Sequence, residues 1–198
     1  KFVYICGMMN ETVKQQQLRE TGQKLFWKHG IKRVTIEEIC QTANTSKATF
    51  YKYFKNKNEL ILHMLRVMFD EAMGKYVAIT ESGVSYEKKI EAILELKMAA
   101  SDQMSPELYE ELYVHPDKEI QNFLTEATTN TMQIVLKDMQ ESQKRGEIRD
   151  DLRPHFILWY LNKLTEMIKE ENLPEHFGDP KEIIRETLTM FYYGVLAR

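Results

Sequence analysis

The stretch VTIEEICQTANTSKATFYKYFKNKNEL, residues 34–60, decides how the rest of this chain reads. Its apolar residues recur at helical spacing, but in pieces too short for one helix. Thr35 followed by Glu38 has the form of a capping box, opening a helix whose buried stripe is Ile36, Ile39 and Cys40. ANTS (43–46) breaks that helix, and a short one is expected from about Ser46 to Phe54. Asn56 with Glu59 then opens a long helix. At about 100° per residue, Phe50 and Phe54 share one face of the short helix and anchor it to a core. The opposite face carries Ala48 and Lys52, flanked by Thr49 and Tyr51, with Ser46 and Lys47 at the N-terminal end. An apolar core has no use for Lys47, Lys52, Lys55 and Lys57, and a plain solvated surface has none for Phe50, Tyr51, Tyr53 and Phe54. A two-sided helix after a tight turn and a preceding helix is a helix-turn-helix. Its lysines, hydroxyls and helix-start N–H groups suit phosphate, and its small or hydroxylated residues suit base edges in a major groove.

Working outward, Thr12 with Gln15 resembles another capping box. Leu18, Gly22, Leu25, Phe26 and His29 continue at helical spacing, and Gly30 stands where a C′ glycine ends a helix. After Asn56 the inward residues are Leu60, Ile61, Met64, Leu65, Met68 and Ala72, to about Ile79, and TESGVS (80–85) is a loop. Further helices are expected at 85–104, 106–114, 117–145, 154–171 and 180–197. Ser105-Pro106 and Asp179-Pro180 each put proline at N1 after a capping residue, Pro116 separates two helices and Gly146 closes one. No stretch reads as a strand. The expected fold is all-α: an N-terminal three-helix bundle with a helix-turn-helix, then a larger C-terminal helical bundle, about nine helices in total.

The 198 residues are 29% charged and 43% hydrophobic, a globular balance. The net charge of −3 hides an asymmetry. Residues 1–60 hold 11 Lys and Arg against 5 Asp and Glu, while residues 61–198 hold 16 against 25. A basic head on an acidic body calls for an anionic partner at the head alone, unless surface lysines cluster there by chance. No apolar run approaches the roughly 20 residues that span a bilayer. The opening KFVYICGMMN has a run shorter than the h-region of about 7–15 residues in a secretory signal. It reads as a tail, and Met8 and Met9 are both plausible initiators. Cys6 and Cys40 form neither a disulfide framework nor a metal-ligand spacing, and Cys40 reads as a small core residue. A cytoplasmic location is expected.

Residues 34–60 resemble the DNA-binding signature of the tetracycline-repressor (TetR) family of transcriptional regulators. Thr35, Ile39, Ala43, Ser46, Tyr51, Phe54, Lys57 and Leu60 stand at the family's spacing, and Leu25, Phe26 and Gly30 fit its first helix. The likeness covers about residues 12–62. Three positions depart from it: Cys40 for a common Ala, Gly22 for a frequent Ala, and Asn44 for a turn Gly. Asn tolerates positive φ, so the turn survives. The resemblance implies phosphate contacts from Thr35, Lys57, Tyr51 and Tyr53. It implies base or groove-edge contacts from Lys47, Ala48, Thr49 and Lys52, with Ser46 also on the DNA-binding surface. Tyr53 also reads as a half-buried packing residue, Thr35 as a cap alone, and Lys55 as a solvated lysine.

The resemblance further implies residues 1–56 as tail and DNA-binding domain and 57–198 as effector-binding and dimerisation domain, with 57–80 connecting them. The partners it implies are double-stranded DNA, a second copy of the chain and a small-molecule effector, with no membrane. Met98, Met104, Tyr109, Tyr113, Phe123, Met132 and Trp159 suit an adaptable apolar pocket, though each also reads as ordinary core. The helices at 154–171 and 180–197 have apolar sectors wider than a one-sided helix needs. Phe156, Tyr160, Leu164, Ile184, Leu188, Phe191 and Val195 are the interface candidates, and burial within one chain is the competing explanation.

The function so implied is a homodimeric repressor released from a palindromic operator by an effector. The alternative is a helical protein-interaction module whose basic head meets an acidic protein. An enzyme is not expected. A bundle di-metal site needs Glu-x-x-His pairs, and none of His29, His63, His115, His155 and His176 has an acid three residues before it. No nucleophile elbow or phosphate-binding glycine loop occurs either, and no cofactor or metal is expected.

Overall fold

In the computed structural model, residues 11–101, 108, 111–112, 114–168 and 180–195 are described, some helical positions by backbone alone. Helix α1 runs Val13–His29. The Thr12 hydroxyl accepts from Gln15 N at 3.3 Å, and Gly30, at φ 74°, ends the helix by donating its N–H to Phe26 O at 2.9 Å. Helix α2, Ile36–Thr42, opens on Thr35, whose hydroxyl accepts from Glu38 N at 3.1 Å. Helix α3, Lys47–Tyr53, is capped by Ser46. Helix α4, Lys57–Thr80, follows Asn56, whose side-chain oxygen accepts from Glu59 N at 2.9 Å. Thr12, Thr35 and Asn56 stand as the capping residues read from the sequence, and Ser46 joins them, because a short polar side chain satisfies a first-turn N–H that the helix leaves unpaired.

Helices α5 (Tyr86–Ser101), α6 (Lys118–Lys144), α7 (Pro154–Ile168) and α8 (Pro180–Val195) complete the described elements. Pro154 and Pro180 are the first residues of their helices, where a missing N–H costs nothing. The fold is all-α, with eight helices and no strand among the described residues. In the span where a further helix is expected, 106–114, Leu108, Glu111 and Leu112 are helical, and 106, 107, 109, 110 and 113 lie outside the described residues. So do the expected helix ends 102–104, 169–171 and 196–197, and the opening residues 1–10.

The chain groups into two compact units. The first falls within Lys1–Gly74 and Ala100–Thr128. Its core gathers Leu18, Phe26, Ile39, Phe50, Phe54, Leu60 and Met64 with Leu108 and Ile120, each fully or almost fully buried. Cys40 is buried there as a free thiol. Gly22 sits where a Cβ would come within 3.0 Å of Leu60 Cδ2. The glycine exchanges helix propensity for close approach of α1 and α4. The second unit falls within Lys75–Ala99 and Thr129–Arg198. Its core gathers Tyr86, Ile90, Met139, Ile148, Ile157, Phe191 and Tyr192.

Candidate nucleic-acid interface

Helices α1, α2 and α3 pack on one another in the first unit. The turn between α2 and α3 is a Schellman stop. Thr45 N donates to Cys40 O at 2.9 Å and Asn44 N to Gln41 O at 3.1 Å. Asn44 takes φ 47°, the left-handed conformation the stop requires. From α1, Gln17 Nε2 donates to Ala43 O at 2.9 Å and ties the turn down. Ser46 Oγ then accepts from Thr49 N at 3.1 Å and lies 2.9 Å from Thr49 Oγ1. Phe50 and Phe54 are buried with rings 5.7 Å apart, so the apolar face of α3 is spent on the core.

The other face is open. Ser46, Lys47, Ala48, Tyr51 and Lys52 are exposed, and Thr49 and Tyr53 are half-buried. Tyr51 is 55% exposed, its ring set edge-on to Phe50 at 5.5 Å. Tyr53 packs against the core beneath Lys52, whose Nζ stands 5.7 Å from its ring centroid. The Lys47 ammonium pairs with Glu37 of α2 at 3.0 Å, both ends exposed. Thr35 is exposed. Its hydroxyl oxygen serves the cap, which leaves the O–H to donate outward.

Lys57 stands differently. Its Nζ donates to Ile31 O at 2.7 Å and Val34 O at 2.9 Å, so two of its three N–H groups hold the loop before α2. Burial pushes this ammonium below its usual range. The Glu111 carboxylate serves the same loop from the opposite polarity, accepting from Ile31 N and from Lys32 N at 3.0 Å. Asn58 Nδ2 donates to Asp117 Oδ2 at 2.8 Å. Glu11 bridges Arg19 Nε, at 2.9 Å, and His63 Nε2, at 2.6 Å. The sequence reading missed Gln17, Glu111 and Glu11 as positioning residues. None has a local signal, since Glu111 lies 80 residues from Ile31 and a lone Gln or Glu on a helix is unremarkable.

Among the pocket candidates, Phe123 packs edge-on against Phe69 at 5.6 Å in the first unit, with Arg66 over its ring at 5.9 Å. Met132 and Trp159 are exposed in the second unit. The Met98 side chain and the residues Met104, Tyr109 and Tyr113 lie outside the description. Among the interface candidates, Phe156 and Tyr160 stack with centroids 6.1 Å apart and rings 3° from parallel, both exposed on α7 beside Trp159. Phe191 of α8 is buried, its ring 6.1 Å from Tyr160. The side chains of Leu164, Ile184, Leu188 and Val195 lie outside the description. No described helix is long and apolar enough to cross a membrane.

Residues 18–64 match the family described as bacterial regulatory proteins, tetR family. The repressor KstR2 of Rhodococcus jostii is 23% identical over 142 residues, 70% of this chain and 70% of that protein. The dhaKLM operon activator DhaS of Lactococcus lactis is 24% identical over 157 residues, 79% of this chain and 78% of that one. A transcriptional regulator of Saccharomonospora viridis, solved in complex with choline, shares the fold. Its TM-score is 0.76 at 18% identity, over 93% of this chain and 98% of that one. The chain thus carries at residues 18–64, in its capped helix-turn-helix with an exposed basic face on α3, the DNA-binding domain of the TetR family of transcriptional regulators.

Proposed function

We propose that this regulator is a homodimeric repressor, released from a palindromic operator by a small-molecule effector. The observation that carries the DNA half is α3, whose two phenylalanines are buried while Ser46, Lys47, Ala48, Tyr51 and Lys52 stay exposed. In this reading Lys47, Ala48, Thr49 and Lys52 face base edges, and Thr35, Tyr51 and Tyr53 hold phosphates beside the Ser46 cap. Lys57 offers its third N–H to a phosphate while its other two hold the loop. Residues 1–56 form the DNA-binding head and 57–198 the effector-binding and dimerising body, working in the cytoplasm. Two copies of α3 would enter successive major grooves about one helical turn apart.

Exposed Phe156, Trp159 and Tyr160 on α7, with Met190 and Tyr193 on α8, support the dimer. These two helices pack on each other, and a second copy would cover their aromatic face in a four-helix interface. The choice of repression follows KstR2. An effector is supported by the choline held by a neighbour of the same fold, and it would act by favouring the conformation that binds DNA less well.

The test is a gel-shift series on DNA upstream of the chain's own and neighbouring genes, repeated across a salt titration. Specific binding that weakens steeply with salt is expected, because each phosphate contact releases counterions. Binding insensitive to salt would remove the phosphate roles, and no shift with any fragment would remove the operator reading.

A further inference from the structure

Residues 43–58, which hold α3 and the turns on either side of it, contain four lysines and no acid. One carboxylate nevertheless stands on the face they make. Glu37, the second residue of α2, reaches Lys47, the first residue of α3, with Oε2 3.0 Å from Nζ. The Lys47 side chain is 55% exposed and that of Glu37 61%. Glu59, the next acid along the chain, is spent elsewhere, since its carboxylate accepts from Lys55 N at 2.5 Å. Both ends of the Lys47–Glu37 pair rest on fixed backbone. The Ser46 cap holds the first turn of α3, and the Asn44 stop, tied down by Gln17, fixes how α2 meets α3.

An exposed ion pair contributes little to stability, so its place on this face calls for another reason. A lysine alone is a point charge on a flexible stem, and it settles on a phosphate whatever the sequence. Glu37 changes that in two ways. Its charge opposes any phosphate brought up to Lys47. Its oxygen also takes one of the three ammonium N–H groups and leaves two. The N-terminal residues of a recognition helix are the ones that meet base edges. In the major groove only guanine presents two acceptors side by side, O6 and N7. Adenine and cytosine put an amine donor on that edge, which a donor-only ammonium rejects, and thymine offers one oxygen beside a methyl group.

We propose that Glu37 is a specificity-determining residue of the DNA interface, holding Lys47 off the phosphates and aiming it at the O6 and N7 edge of one guanine. Lys47 makes the contact, and Glu37 acts through it as a positioning residue. Without Glu37 the lysine still attracts DNA, but as a phosphate contact blind to sequence. The proposal deepens the DNA-binding reading of α3 and rests on it.

The whole chain and its Glu37→Gln and Lys47→Ala variants each select binding sites from a pool of random duplexes. Circular dichroism matching the parent's verifies that the variants fold. The parent is expected to select a guanine at a position that both variants leave random, with the rest of the site unchanged. Affinity is then measured on the selected site and on scrambled DNA. Glu37→Gln should gain about tenfold or more on scrambled DNA but only several-fold on the site, so its preference falls. Replacing the guanine by 7-deazaguanine, which lacks the N7 acceptor, should cost the parent about tenfold and Glu37→Gln less than about threefold. The proposal is overturned if both variants select the parent's site unchanged, if they relax different positions, or if Glu37→Gln gains equally on both DNAs. The 7-deazaguanine scan also uses the unmutated protein, so a variant that misfolds does not blunt it: no guanine sensitive to the change overturns the proposal as well. A parent that selects no sequence removes the operator reading itself, and this proposal with it.

Discussion

Asn44 stands at φ 47°, in a region that a β-branched side chain enters only at a cost of about 1–2 kcal/mol. Asn44→Val is therefore expected to lower stability by about that much in denaturant unfolding, while Asn44→Gly stays within roughly half a kcal/mol. This position was legible in the sequence, because few residues other than glycine tolerate the conformation. Glu11 was not. Burial raises its carboxyl, but hydrogen bonds from Arg19 and with His63, and the charge of both, bring it below its ordinary range. A carboxyl lowered in the folded state contributes stability that is complete above its unfolded value, about 4.3, and is lost as pH falls through the folded value. Unfolding measured from neutral pH down into the acid range should show that loss. Glu11→Gln should be less stable at neutral pH and should lack this part of the acid dependence.

At the scale of the element, α3 shows how one helix divides its duties. Its length was read to within a residue at each end, because Ser46 and the buried Phe50 and Phe54 bracket it. What the sequence did not show is that Lys47 is paired with Glu37 of α2. The pair is exposed at both ends and contributes little to stability. It does hold an acid against the proposed DNA face. Glu37→Gln is expected to tighten operator binding several-fold, and Lys52→Ala to weaken it by about tenfold and relax its sequence preference. Fluorescence anisotropy on operator and scrambled DNA measures both, and a Lys52→Ala loss equal on the two DNAs would remove its base-edge role. The start of α4 is the contrasting case. Lys57 stands where the resemblance puts a phosphate contact, yet two of its donors go to the Ile31 and Val34 carbonyls.

At the scale of the whole molecule, α7 and α8 explain their wide apolar sectors in two ways at once. Phe191 and Ile157 are consumed inside the second unit, while Phe156, Trp159 and Tyr160 remain exposed. Trp159→Glu is therefore expected to leave the circular dichroism spectrum unchanged and to convert a sedimenting dimer to monomer. Phe191→Ala should instead destabilise the chain by roughly 3–5 kcal/mol, the cost of emptying a buried aromatic site. A monomeric parent protein at micromolar concentration would end the dimer reading.

The sequence by itself determined the helices and the face α3 turns outward, because capping, 3.6-residue periodicity and turn chemistry are local and act within a few residues. Tertiary structure alone decided that Glu111 and Lys57 grip one loop from opposite polarities and that Glu11 joins Arg19 to His63. Those contacts join residues far apart in the chain. Whether a buried charge finds a partner there depends on packing between helices, which no local pattern encodes.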